Sequence, residues 1–95
     1  MEYVDRIIKS LEKAGATFKV ASDAFWNVKE WYACISYDKL LDFQYETCFS
    51  SWACFRNHGV MINVDSFGTK ATTEKIKEHF KLGDPKEYGE EKCTN

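Results

Sequence analysis

The chain has 95 residues and a formal net charge of −2, with 44 % hydrophobic and 16 % aromatic residues. A chain of this length holds a single hydrophobic core, so we predict one domain over residues 1–83 and a charged tail over residues 84–95. The nearly balanced charge provides no basic field of the kind that nucleic acid or an anionic membrane attracts.

The first predicted element is an amphipathic helix over residues 2–14. Val4, Ile7 and Leu11 recur at the three- and four-residue spacing of one helical face. Gly15 follows where a residue in the left-handed conformation commonly ends a helix.

The same N-terminal segment bears on location. It is charged throughout and has no long apolar run, so it resembles neither a signal peptide nor a membrane span. We therefore expect a cytoplasmic protein that does not enter a membrane. Cysteines in that compartment are normally reduced thiols, which is the expectation for Cys34, Cys48, Cys54 and Cys93.

After Gly15 the apolar period changes from 3.6 to two, which predicts strands in ATFKVAS and in WYACISY. The second of these carries apolar side chains on both faces, which indicates a central strand or a strand whose second face meets another part of the protein or a partner. Residues 38–49 also alternate, through Leu41, Phe43 and Tyr45, and this favours a third strand over a short helical turn. Residues 52–56 and 60–64 then flank a turn ending in glycine, as in a β-hairpin.

The last predicted element is a helix over residues 70–82, with Ile76 and Phe80 near one face and Gly83 just past its end. The predicted order is α-β-β-β-β-α. Consecutive strands bracketed by helices indicate the α+β class, with an antiparallel sheet of three to four strands flanked by an N-terminal and a C-terminal helix.

The stretch TCFSSWACFRNHG, residues 47–59, contains candidate metal ligands and a candidate nucleophile. Cys48, Cys54 and His58, with Cys93 or His79 as a fourth ligand, lack the tight C-x2-C pairs that structural zinc prefers. A Cys54–His58 nucleophile pair has no family signature around it, and no phosphate-binding glycine motif is present. We therefore predict no metal, no cofactor and no enzymatic activity, and interpret this stretch as a core strand that enters a turn.

Large aromatic side chains exceed what one face of a small sheet must bury. Those left partly outside would serve as anchors for a protein partner, because Trp and Tyr are enriched at interface hot spots. The candidate interface residues are Trp26, Trp31, Tyr32, Trp52 and Phe55, together with loop 22–27. The predicted function is a non-catalytic protein-binding module, monomeric or homodimeric, of the kind that phages and mobile elements encode as steric inhibitors.

The alternative hypothesis is a domain that binds single-stranded or structured nucleic acid. An aromatic sheet face can stack bases, and Lys70, Lys75, Lys77 and Lys81 lie on the last predicted helix. Glutamates alternate with these lysines, as they do on solvated helices with spaced ion pairs. We therefore rank nucleic-acid binding second.

Overall fold

The computed structural model describes residues 2–22, 28–49, 54–56 and 59–87. Within these ranges the chain forms three α-helices, four β-strands and two short 3-10 turns. The helices are α1 (Tyr3–Lys13), α2 (Tyr37–Thr47) and α3 (Lys70–His79); the strands are β1 (Thr17–Ser22), β2 (Lys29–Ile35), β3 (Cys54–Arg56) and β4 (Gly59–Asn63); the 3-10 turns are Val64–Phe67 and Pro85–Glu87.

The strands form one antiparallel sheet in the order β1-β2-β4-β3. Strands β1, β2 and β4 carry most of the pairing, and β3 adds a three-residue edge. Arg56 pairs with Gly59, so β3 and β4 form the hairpin predicted for this segment. The α+β class and the antiparallel sheet with helices at both ends of the described chain are confirmed.

The three helices pack against one face of this sheet. Helix α1 contacts both α2 and α3, and α2 also contacts β4. Val4, Ile7 and Leu11 of α1 are buried there, as their helical spacing predicted. The strand side chains that share this core are Val20, Trp31, Ala33, Ile35, Val60 and Ile62.

The second face of the sheet also holds buried side chains. Ala21, Cys34 and Met61 form a small cluster there, with Tyr32 partly buried against it. Strand β2 lies between β1 and β4 and is covered on both faces, which confirms that it is a central strand.

Gly59 begins β4 where that strand approaches the end of β2. A Cβ at this position would meet the carbonyl oxygen of Ile35 and lie 3.2 Å from the Cα of Ser36. Both are backbone atoms that a side-chain rotation cannot move. The hairpin therefore packs this closely on β2 only because residue 59 has no side chain.

The strand predicted over residues 38–49 is wrong, because the chain forms α2 there. Leu40, Phe43 and Thr47 point toward the core at a helical spacing of three and four, and this face is what tertiary packing buries. The segment contains five good helix formers, and Thr47 is its one β-branched residue. The element order is therefore α-β-β-α-β-β-α.

Helices α1 and α3 end with the same hydrogen-bond pattern but with different residues in the left-handed position. After α1 that residue is Gly15 at φ 68°, and the Ala16 amide donates to the Leu11 carbonyl. After α3 it is Lys81 at φ 58°, and the Leu82 amide donates to the Lys77 carbonyl. The sequence pointed to Gly83, yet the left-handed residue is Lys81, which carries steric strain that glycine would avoid.

Substitutions of Gly15 and of Lys81 should change the free energy of unfolding in opposite directions. Gly15→Ala is expected to lower the free energy of unfolding by about 1 kcal/mol, because it brings a Cβ into the left-handed region. Lys81→Gly should raise it by up to about 1 kcal/mol, because relief of strain exceeds the entropy cost of glycine. Urea denaturation followed by circular dichroism measures both. Lys81→Ala removes the charge but keeps the strain, so an equal gain in that control would contradict the explanation.

Trp31 holds the segment that follows α3. Its indole Nε1 donates to the carbonyl oxygen of Gly83 at 2.7 Å, and its ring is 8 % exposed in the core. Nearby, the Phe18 and Phe80 rings pack with their centroids 4.7 Å apart. Contacts from β1 and β2 therefore fix the end of α3, and the turn Pro85–Glu87 lies against β2. That turn belongs to the tail predicted over residues 84–95, of which residues 88–95 lie outside the described ranges.

Substitutions of Trp31 separate its ring from its hydrogen bond. Trp31→Ala should lower the free energy of unfolding by about 3–5 kcal/mol, because it empties a large buried volume. Trp31→Phe keeps most of the ring and should cost less, since the lost hydrogen bond contributes about 0.5–1.5 kcal/mol. Guanidinium denaturation measures both values, and a cost below about 1 kcal/mol for Trp31→Ala would show that this ring is not a core side chain.

Candidate protein-binding surface

The candidate interface residues named from the sequence do not form one surface in the described structure. Trp31 lies in the core, which leaves it little surface for a partner, and Tyr32 is partly buried on the second face of the sheet. Phe55 lies in edge strand β3. Trp26, Trp52 and positions 23–27 of the predicted loop lie outside the described residues, so their role stays a prediction.

A different set of apolar side chains is exposed on α2. Leu41 is 77 % and Tyr45 87 % exposed, and Tyr37 is 45 % exposed. These residues are four positions apart, so they line up along one face of the helix. We call Tyr37, Leu41 and Tyr45 the α2 stripe.

The opposite face of α2 anchors it in the core. Phe43 is 1 % and Thr47 0 % exposed. The Phe43 ring makes edge-type contacts with Phe49 and Phe67, with centroids 6.2 and 6.0 Å away. Phe49 and Phe67 are 5.0 Å apart, which closes a cluster of three rings. With Phe43 fixed in this cluster, the stripe must face away from the core.

The end of α2 is defined by Thr47 and Cys48. The Thr47 hydroxyl donates to the Phe43 carbonyl at 2.7 Å and accepts from the Phe49 amide at 3.2 Å, so this buried polar group is satisfied. Cys48 follows in the left-handed conformation, and its thiol is free and exposed. The sequence interpretation of Cys48 as a small buried side chain in a strand is therefore wrong. The helix ends there and turns the residue outward.

Helix α2 is also held to α1 through Glu46. Its carboxylate accepts from Lys13 Nζ at 2.6 Å and from the Ser10 hydroxyl at 3.1 Å. The hydrogen bond with Lys13, followed by that with Ser10, lowers the pKa of the Glu46 carboxyl, and the same contact raises the pKa of Lys13. These contacts fix how α2 is rotated against the rest of the helical layer.

Acidic side chains run beside the α2 stripe. Asp38 and Asp42 each follow a stripe residue by one position, so they form a parallel row that continues to Glu46. Both aspartates are exposed, and no cation among the described residues lies within salt-bridge distance of them, although a neighbouring lysine attracts each of them at longer range. The Asp38 carboxylate accepts from the Ser36 hydroxyl at 2.7 Å, and this bond lowers the pKa of Asp38. One flank of the stripe is therefore negatively charged at neutral pH.

The sequence predicts this surface when residues 37–47 are given the helical period of 3.6 instead of the strand period of two. Read at 3.6 residues per turn, residues 37–47 place Phe43 and Thr47 on one side and the α2 stripe on the other. Read at a period of two, Leu41, Phe43 and Tyr45 share a face and all appear to be core residues. A period of 3.6 therefore predicts that Leu41 and Tyr45 lie on the surface, whereas a period of two predicts that they are buried.

Cys34 takes part in a disulfide bond, which corrects the expectation that every cysteine is a reduced thiol. Cys48 is free. Cys34 and Cys54 both pair with Met61, from opposite sides of β4, which places their Cα atoms about 9–10 Å apart. A disulfide needs Cα atoms within about 7 Å, so this register keeps the backbones of Cys34 and Cys54 too far apart for one. The partner of Cys34 therefore lies outside the described residues.

Counting thiols tests this assignment. The denatured chain should show two titratable thiols before reduction and four after it, because one bond occupies two of the four cysteines. Cys34→Ser should raise the unreduced count to three, because it releases the partner thiol. The control Cys48→Ser should lower the count to one, because it removes a thiol that is free in the structure. Four thiols before reduction would contradict the bond, and an unchanged count with Cys48→Ser would contradict the free state of Cys48.

The described residues offer little room for a small ligand. A hollow of about 160 Å³ lies between the start of α1 and α3, bounded by Tyr3 and Thr72. Typical small-molecule sites measure about 300–1,000 Å³, so we place no ligand there. Within the described ranges no cluster of three or more His, Cys, Asp or Glu side chains is arranged to hold a metal ion. Cys54 and His58 of the metal hypothesis have no described side chains, and His79 instead lies 3.5 Å from Glu12.

Among the helices that the structure describes, none has the length and apolarity to cross a membrane. No protein-family model matches the chain, and no curated protein or solved structure matches it. The exposed surface of α2 is the feature of the described residues that bears on function.

Proposed function

We propose that this chain is a non-catalytic protein-binding module that contacts its partner through the α2 stripe. The observation that supports this proposal is the exposure of Leu41 and Tyr45 on a helix whose opposite face is fully anchored. The mechanism is steric: a helix held in a fixed orientation covers a working surface of the partner. The chain would act as an inhibitor of the type that phages and mobile elements encode.

The composition of the stripe suits an interface. Tyr is enriched at hot spots, because it brings a large apolar ring and a polar hydroxyl with few rotatable bonds. Single exposed apolar residues are ordinary on protein surfaces, whereas an aligned row of them is typical of an interaction site. Removing these side chains from water on binding would contribute favourably to association.

Nucleic-acid binding is the alternative, and the described contacts favour it less. Lys77 Nζ lies 2.9 Å from Asp65, and Lys75 Nζ lies 3.8 Å from Glu2. Ion pairs within the chain thus engage two of the lysines that would meet a phosphate backbone. The row beside the stripe is acidic and would repel one.

The sequence predicts a cytoplasmic location for this protein, and one observation speaks against it. The disulfide at Cys34 argues against it, because disulfides are rare in reducing compartments and persist in oxidising ones. Counting thiols in protein alkylated directly in its native cells would decide the compartment.

Affinity capture from the native host's lysate, with and without nuclease, tests the function. The wild-type chain should retain one stoichiometric protein after nuclease treatment, and the double substitution Leu41→Ser/Tyr45→Ser should lose it. Both side chains are exposed, so the variant should keep its free energy of unfolding within about 1 kcal/mol of wild type. Circular dichroism melting of the same samples checks that the loss is not unfolding.

Tyr3→Ser is the matched control, because Tyr3 is an exposed tyrosine on α1, away from the stripe. It should retain the partner as well as wild type does. Equal retention by the stripe variant would contradict the assignment of the surface, and recovery that disappears with nuclease would favour the nucleic-acid alternative.

A further inference from the structure

We propose that the partner presents an apolar groove with lysine or arginine side chains along one edge, and that α2 enters this groove with its acidic row against that edge. This inference rests on the proposed function and adds the chemistry of the partner. It draws on the shape of the α2 stripe, on the carboxylates of Asp38 and Asp42, which form no ion pair with a described residue, and on the rigid attachment of α2 to the domain.

The shape of the α2 stripe indicates that the partner binds it in a groove. The stripe spans nine residues of one helix from Tyr37 to Tyr45, or about 12 Å along its axis. Its side chains project from a convex surface at positions i, i+4 and i+8. Helices with this spacing are bound by laying their apolar face into a hydrophobic groove, where each anchor fills a pocket.

The negative charge beside the α2 stripe indicates that the partner's groove has a basic edge. Asp38 and Asp42 border the stripe on one side, and their carboxylates have no ion-pair partner among the described residues. An exposed aspartate is ionised at neutral pH, and the hydrogen bond from the Ser36 hydroxyl lowers the pKa of Asp38 further below its ordinary value. A groove with an uncharged or acidic edge would desolvate or repel these carboxylates, whereas lysine or arginine would pair with them.

A second copy of this chain fits the same surface less well. In an antiparallel pairing of two α2 helices, equivalent flanks meet, so the acidic rows of the two copies would face each other. Like charges brought together at an interface oppose association. The charge of the row therefore favours a partner of different composition.

The rigidity of α2 lowers the cost of binding. Glu46 ties the helix to Ser10 and Lys13, and Phe43 holds it in the ring cluster with Phe49 and Phe67. The backbone of the stripe is already ordered before contact. Only the exposed side chains must give up rotational freedom when the groove closes around them.

The experiment uses the protein captured by the wild-type chain, purified and immobilised for biolayer interferometry. The association rate should fall at least about threefold between about 50 and about 300 mM salt, because opposite charges steer the encounter. Asp38→Asn/Asp42→Asn should lower the rate at low salt by a similar factor and remove most of its salt dependence. The matched control Glu74→Gln/Glu78→Gln removes the same charge from α3 and should leave the rate unchanged.

Alkylation of Cys48 reports the position of the contact. This exposed thiol comes three residues after Tyr45, so maleimide labelling at Cys48 should slow in the complex. Peptide mapping by mass spectrometry separates it from the other cysteines.

The possible failures are distinguishable. An empty capture overturns both the proposed function and this inference. A captured protein that associates at a salt-independent rate, or that responds equally to the α3 control, overturns the basic edge alone. A dimer of this chain that dissociates on Leu41→Ser, seen by analytical ultracentrifugation, replaces the foreign partner with a second copy.

Discussion

The position of β2 is the constraint on which the rest of the structure depends. The strand pairs with β1 on one edge and with β4 on the other, and it is covered on both faces. Ala33 and Ile35 are fully buried toward the helices, and Gly59 lets the backbone of β4 come close to the end of the strand. Trp31 of β2 also fixes the segment that follows α3, since its indole Nε1 donates a hydrogen bond to the carbonyl oxygen of Gly83. The helical layer is therefore arranged around one strand.

Helix α2 follows directly from that arrangement. The chain leaves β2 at Ile35 and begins α2 at Tyr37, so the helix starts at the edge of the core and lies beside α1. Phe43 and Glu46 then fix its rotation, one through the ring cluster and the other through Ser10 and Lys13. The exposed tyrosines and Leu41 are a consequence of this rotation. An apolar row that the core cannot use, next to carboxylates that no described cation pairs with, is what supports a binding role.

The second face of the sheet has different chemistry. Cys34 is buried there beside Met61 and takes part in a disulfide, so this face is constrained covalently as well as by packing. A bond of this kind stabilises mainly by restricting the unfolded chain, and its strength as a constraint depends on the redox poise of the compartment. The domain thus combines a helical face built by burial with an opposite face that carries a disulfide in addition to its buried cluster.

The amino-acid sequence by itself determined the elements whose apolar pattern fits one period. The Val4–Ile7–Leu11 spacing specified α1, and the alternation around Phe18 and Ala33 specified β1 and β2. The two short apolar runs on either side of a turn specified the hairpin, although Gly59 is the first residue of β4 and not the last residue of the turn. Tertiary structure decided residues 37–47, because their apolar side chains satisfy a strand at a period of two and a helix at 3.6. Contacts of Phe43 and Glu46 with residues distant in the sequence select the helix. It also decided that Trp31 is core and Cys34 bonded, because burial and disulfide pairing depend on which distant segments meet in space.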